Sequence, residues 1–269
     1  KTNNLGWFCN ILEIPSEQKN DSLRASISGI NENVYLAKSI DFSTLPNSII
    51  GYYFSEDILE IFKNKTLEHS GFVARKGHDF VSNKHPRLYY EVLPKKYFYH
   101  FYNGGSFNMF YMPSRDVVFY DESIIRADKS TNLRNSSDQL HQGTGFGKRG
   151  DILDAHILKN GTFFSAEGLA IPNISSESGL IGDSFLNSIY TQYVINLYCA
   201  QHKGNGYVNL LPIPKYSSKA DEIIRIVSNV IEIKRYWQSY DETNLEYRGI
   251  ITYLEHGSIK DALLLLQER

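Results

Sequence analysis

Two hydrophobic periods divide this chain. Residues 87–93, 97–102, 116–120, 155–158, 162–165 and 168–171 are short, rich in Tyr, Phe and Val, and separated by turn residues, a texture that predicts strands of an irregular, curved sheet. Past Gly182 the period becomes helical. Phe185, Leu186, Ile189, Tyr190, Tyr193, Leu197 and Tyr198 fall on one face of a helix ending before Gly204. Residues 220–237 repeat the pattern with Ile223, Ile224, Val227, Val230 and Ile231. The expected fold is α/β: a curved mixed β-sheet with helices packed mainly from the C-terminal part.

Punctuation completes the outline. Asn160-Gly161 and Asn103-Gly104-Gly105 are turn signals, and residues 129–150, polar and rich in Ser, Asn and Gly, read as a long mobile loop. Residues 208–215 read as a strand-like exit stopped by prolines, and a last helix is expected from Ser258. Near the N-terminus, residues 15–26 read as a loop, and Ser55 as the N-cap of a short helix with Glu56 and Asp57 in its first turn. The organisation that follows is residues 1–70 as a linker and short helix, 71–216 as the sheet, loops and packing helix, and 217–269 as a helical spacer.

Of the 269 residues 42% are hydrophobic, enough for a sizeable core, and a net charge of -2 argues against a protein that coats nucleic acid over its whole surface. Cys9 and Cys199 are far apart, with no Cys/His cluster at metal-ligand spacing, so neither a disulfide framework nor a structural zinc is expected. No apolar run approaches the roughly 20 residues of a membrane span, and the first residues lack the apolar core of a signal peptide. A cytoplasmic protein with no membrane partner is expected. A start in mid-polar sequence without Met reads as a piece of something longer.

Charge is nevertheless concentrated. Arg75, Lys76, His78, Lys84, His85, Arg87 and Lys95 lead into Tyr97-Phe98-Tyr99-His100-Phe101-Tyr102-Asn103-Gly104-Gly105. Cations beside planar rings and a flexible corner suit a polyanion that also offers flat bases, since phosphates pair with Lys and Arg while rings stack. A tyrosine-rich sheet carrying lysines on its solvent face would have the same composition.

Other motifs fail on context. Gly145-Phe146-Gly147-Lys148-Arg149-Gly150 satisfies GxGxxG, but the preceding residues 132–142 are almost wholly polar where a dinucleotide site needs a buried strand. Arg149 stands where a Walker-type loop needs Ser or Thr after its lysine. The eight histidines show no HExxH spacing, and there is no GxSxG elbow.

Several segments read in order resemble one family. Residues 46–55, containing Ile49-Ile50-Gly51-Tyr52-Tyr53-Phe54, and the helix through Ile61-Phe62-Lys63-Asn64 are similar to the approach to the target-recognition region of large adenine-specific DNA methyltransferases, the BREX phage-defence PglX type and the fused type IIG restriction-modification enzymes. Arg75-Lys76-Gly77 resembles their basic "KG" lead-in. Tyr102-Asn103-Gly104-Gly105-Ser106-Phe107 resembles their "NKGGEFRKWY" segment, and residues 116–121 the strand after it. Residues 159–172, Leu186-Asn187-Ser188, Leu211-Pro212-Ile213-Pro214 and residues 237–243 continue the series, which spans about 200 residues. Departures are the missing lysine of Asn-Lys-Gly-Gly and Asn244-Leu245 where the family has tryptophan. No Asn/Asp-Pro-Pro-Tyr/Phe motif and no S-adenosylmethionine loop occur.

The resemblance implies a DNA specificity domain without its catalyst. Its expected partners are double-stranded DNA, its own methyltransferase domain in a full-length protein, and other subunits of a defence system. No cofactor is expected in this chain, and S-adenosylmethionine is expected in the missing catalytic domain, which would extrude the adenine; the chain alone should be inactive. Phosphate contacts are assigned to Lys76, Lys95, Lys96, Lys148 and Arg149, and base-edge contacts to Arg75, His78, Asn103, Asn108, Arg115 and Arg134. The rival reading keeps the fold and makes the basic face the seat of an acidic protein in a defence complex.

Overall fold

A computed structural model describes residues 4–29, 32–80, 84–92, 97–105, 107–214 and 219–248. Lys95, Lys96 and the helix expected from Ser258 lie outside them. The fold is α/β, and the chain divides into two units, Lys1–Ser70 with Leu210–Lys215, and Gly71–Asn209 with Tyr216–Arg269.

In the first unit β1 (Leu5–Cys9) and β2 (Val34–Lys38) form an antiparallel hairpin in which Trp7 stands opposite Leu36. Alternation puts Phe8 on the inner face, stacked on Tyr52 at 4.9 Å, and leaves Leu5, Trp7 and Leu36 exposed. Residues 15–26, expected as a loop, instead hold a short 3-10 turn and α1 (Lys19–Ile27). Helix α2 (Glu56–Ile61) starts as expected, with the Ser55 hydroxyl accepting from the Ile58 N–H at 3.4 Å. The unit closes on a distant segment: Leu67 N donates to Leu211 O at 2.8 Å and Ile213 N to Lys65 O at 2.9 Å.

The second unit holds two sheets. The first, ordered β3-β5-β4-β8, joins β3 (Pro86–Leu88), β5 (Asp116–Phe119), β4 (Phe98–Tyr102) and β8 (Thr162–Phe164), and is mixed because β4 and β8 run parallel. Register sets Phe101 beside Phe163 and Tyr102 beside Phe164. One pair joins a cluster with Phe80, Val118 and Ile125, and the other a cluster with Leu158 and Ala170, so these strands are buried on both faces. Helix α3 (Glu122–Ala127), capped by Asp121, supplies Ile125 to the first cluster.

The second sheet, β7-β6-β9, is antiparallel and consists of β6 (Gly143–Gly147) between β7 (Ala155–Leu158) and β9 (Gly168–Pro172). The loop expected over residues 129–150 is thus corrected at its end, where β6 is a wholly buried central strand. Helix α4 (Ser176–Asn187) packs on β6 and β7. The single helix expected here is two, because Ser188 ends α4 and caps α5 (Ile189–Asn196), its hydroxyl accepting from Thr191 N at 3.1 Å. The segment expected as a strand from Val208 begins inside α6 (Asn205–Asn209). Helix α7 (Ala220–Gln238) packs against α4 rather than standing apart as a spacer. Among the described residues no helix is long and apolar enough to cross a membrane.

Candidate nucleic-acid interface

The cations Lys148 and Arg149 follow directly on β6, and the backbone around them is clamped. Lys203 N donates to Lys148 O at 2.7 Å, Gly150 N to Gln201 O at 3.0 Å, and the Lys203 ammonium to Gly150 O at 2.7 Å and Ala200 O at 3.1 Å. Lys203 is almost fully buried, and burial pulls its ammonium below the ordinary lysine range against the opposing influence of Cys199 and Asp151. Replacing it by Met keeps the stem and deletes the donors, leaving the Gly150 and Ala200 carbonyls without the ammonium, the second keeping the Cys199 thiol at 3.6 Å. Lys203→Met should therefore lose about 2 kcal/mol of stability in urea unfolding.

Both cations meet one carboxylate. Lys148 Nζ lies 2.7 Å from one oxygen of Glu167 and Arg149 Nε 2.8 Å from the other. Burial tends to raise the Glu167 carboxyl, but the two cations outweigh it and hold it below its usual range. Glu167 sits at the tip of the turn between β8 and β9, where Ser165 Oγ accepts from Glu167 N at 3.1 Å and Gly168 N at 2.8 Å.

Beside this pair opens a cleft of about 880 Å³. The Asn103-Gly104-Gly105 corner forms one wall, its two glycines in left-handed conformations with φ of 72° and 96° that explain why the turn is made of glycine. Phe107, 63% exposed, offers a ring to the space, and Arg149, Ile152 and Glu167 line the other side. Asp154 also lines it, buried, with its carboxylate accepting from Asn108 N at 2.7 Å. Burial raises its pKa against the backbone N–H groups of Asn108, Asp154 and Gly147.

The expected base-reading residues do not share one rim. Asn103 lines the cleft, whereas Asn108 is buried and does not. His78 is a correction: it is fully buried, with its ring among Phe80, Tyr120 and Phe163 and Nδ1 3.0 Å from Arg134 O. Burial, opposed by that carbonyl and reinforced by Arg126, lowers its pKa to about 4, so it is a neutral core residue that cannot reach a base edge. Its neighbours differ. Arg75 keeps an exposed guanidinium 3.6 Å from Asp138, while the Lys76 carbonyl accepts from Asn135 Nδ2 at 2.8 Å. Arg134 is half-buried, and the Asn132 amide, turned to satisfy both groups, accepts from its Nη2 at 2.9 Å. Arg115 is exposed in the field of Asp116 and Asp241 and does not line the cleft.

Sequence reasoning missed Glu167, Asp154 and Lys203. A signal existed only for the first, an acid in the gap between two expected strands. One family-like motif has structural work: the Asn187 amide bonds both backbone groups of Ala155, at 2.9 and 2.8 Å; outside the motifs, Asn209 does the same for Ala74. No family model matches this chain, and no curated protein sequence matches it.

Proposed function

We propose that this chain is the sequence-specific duplex-DNA recognition module of a site-specific adenine-N6 DNA methyltransferase of a restriction-modification or BREX phage-defence system, acting without a catalytic site of its own. The ordered motif resemblance suggests the class. The geometric observation that carries the reading is the meeting of Asn103, Phe107 and Arg149 at one open cleft: a polar amide, an exposed ring and a cation on backbone fixed by two sheets. Side chains held this way on loops of a rigid scaffold suit nucleic-acid contact. The methyl donor, S-adenosylmethionine, would belong to the partner methyltransferase domain.

Duplex binding should be weak and strongly salt-dependent. With Lys76, Lys95, Lys96, Lys148 and Arg149 as the phosphate contacts, the slope of log affinity against log salt should be no steeper than about -4.5, from about 0.9 per contact. Replacing Lys95 and Lys96 together by Ala should flatten it by about 2 for every sequence alike. A flat plot for the unaltered chain would remove the reading.

One observation favours a second reading, an assembly module of a defence complex: Leu5, Trp7 and Leu36 expose an apolar face on the β1–β2 hairpin. Protein association that survives high salt, without any duplex binding, would select it.

A further inference from the structure

Lys148 and Arg149 are the expected phosphate ligands, yet both are already engaged by an anion of the chain itself. Each oxygen of Glu167 takes one cation, at 2.7 and 2.8 Å, in the forked arrangement a phosphodiester would adopt with the same two groups. The fork is built rather than incidental. Lys148 N donates to Glu167 O at 3.2 Å, so the cation strand and the acid turn are joined through backbone, and the Lys203 clamp fixes the other side of the cation strand. Only Lys148 among the three has its charge mostly covered, its side chain being 21% exposed against 43% for Glu167 and 66% for Arg149. The outer part of the fork is therefore open to exchange with a ligand arriving along the cleft that Arg149 and Glu167 line.

We infer that Glu167 is an internal phosphate mimic, which occupies the Lys148–Arg149 site in the free protein and must be displaced by a backbone phosphodiester of duplex DNA. This deepens the duplex-DNA reading and rests on it. The consequence is discrimination. A phosphate brought by non-specific encounter has to expel a tethered competitor, so the two cations add little to binding at an arbitrary sequence. They contribute fully only where other contacts hold the duplex in place long enough for the exchange.

The test is a set of four proteins: the unaltered chain, Glu167→Gln, Lys148→Met with Arg149→Met, and all three changes together. Affinity for a mixed-sequence duplex is measured over a range of salt. Gln keeps the length of Glu, and the turn it sits on is held by Ser165 rather than by the carboxylate. Glu167→Gln should bind that duplex on the order of tenfold more tightly at low salt, with a slope steeper by up to about 1.8, two contacts at about 0.9 each. The Met pair should abolish the whole gain of Glu167→Gln, so that the triple variant binds no more tightly than the Met pair itself, a dependence that a merely local structural role would not produce.

Inorganic phosphate supplies the second arm. At a few millimolar it should not abolish the gain; if it does so and binds Glu167→Gln saturably, the site serves a free anion and the inference falls. Equal affinity and slope for the unaltered chain and Glu167→Gln, with both binding duplex, would overturn the mimic while leaving the recognition reading intact. Absence of duplex binding in all four would remove the recognition reading and the mimic with it.

Discussion

Between pH 7 and pH 4 the protein should lose about 3 kcal/mol of stability through His156 alone. The ring is almost completely buried, neither nitrogen has a hydrogen-bond partner among the described residues, and it meets the edge of Tyr102 with 4.5 Å between ring centres. Burial, with the Lys234 charge adding to it, lowers its pKa from 6.5 to about 3. The folded value lies below the unfolded one, so as the pH falls the unfolded chain takes the proton first. The contribution is whole above 6.5 and drains away down to about 3. His78, lowered to about 4, acts in the same direction through the same window.

Asp183 acts the other way. It is wholly buried in α4, and burial raises its carboxyl well above the ordinary value, with the nearby Thr144 hydroxyl opposing the shift, so its contribution is present at acid pH and lost as the pH rises. The whole-protein curve mixes these opposing signs. His156→Phe separates them: whatever the substitution costs at pH 7, the gap to the unaltered chain in urea unfolding should shift by about 3 kcal/mol at pH 4. A gap that does not move would show that the ring is charged or solvated in the folded state.

Gly77→Ala should prevent the second unit from folding. A Cβ at this position would lie 1.7 Å from the Phe164 carbonyl oxygen, a backbone atom of β8 that cannot swing away. Around it the chain is tied on both sides, with Gly77 N on Ser165 O at 2.9 Å, His78 N on Phe164 O at 3.0 Å and Arg75 N on Ala170 O at 2.7 Å. Making room breaks this run of bonds, at a cost of at least about 4 kcal/mol, a large fraction of the stability of an ordinary domain. Near-ultraviolet circular dichroism and the urea midpoint would register it, with Lys76→Ala as the neighbouring control that should change stability by less than about 1 kcal/mol. A native-like Gly77→Ala protein would mean that β8 and the 75–78 segment are not in backbone contact.

These positions also mark what a reader of the sequence alone can and cannot see. The strands at residues 98–102, 116–119, 155–158, 162–164 and 168–172 were legible because β-branched and aromatic residues sit between turn residues, and the Ser55 cap because a hydroxyl precedes two acids and an apolar stripe. Strand β6 was not: Gly143-Thr144-Gly145-Phe146-Gly147 has the local preferences of a loop, and it is extended because β7 and β9 supply partners on both edges. The break at Ser188 was hidden by an apolar stripe that runs straight across it.

The basic island shows the same limit for charge. Its count is plain in the sequence, but direction is a tertiary property. Lys84 and His85 both turn to Asp128, at 2.6 and 2.8 Å, and His78 enters the core. Cations Lys148 and Arg149 were legible as charge, whereas the acid that neutralises them is 19 and 18 residues away. Nothing local foretells that pairing.

The closure of the first unit by residues 211–213 has a consequence for the order of events during synthesis. Lys65 and Leu67 emerge from the ribosome well before their partners Ile213 and Leu211, and at about 5–20 residues per second the wait is on the order of ten seconds. During that interval Leu67 lacks its backbone acceptor and Leu211, a core residue, has yet to be made. The intervening 71–209 stretch carries both sheets of the second unit and ties its own ends together where Asn209 bonds Ala74, so its folding converts a long loop closure into a short one. The first unit is therefore closed only after most of the second has been made. Nascent chains stopped before Leu210 should carry a protease-sensitive N-terminal part that becomes protected only when Pro214 has cleared the exit tunnel.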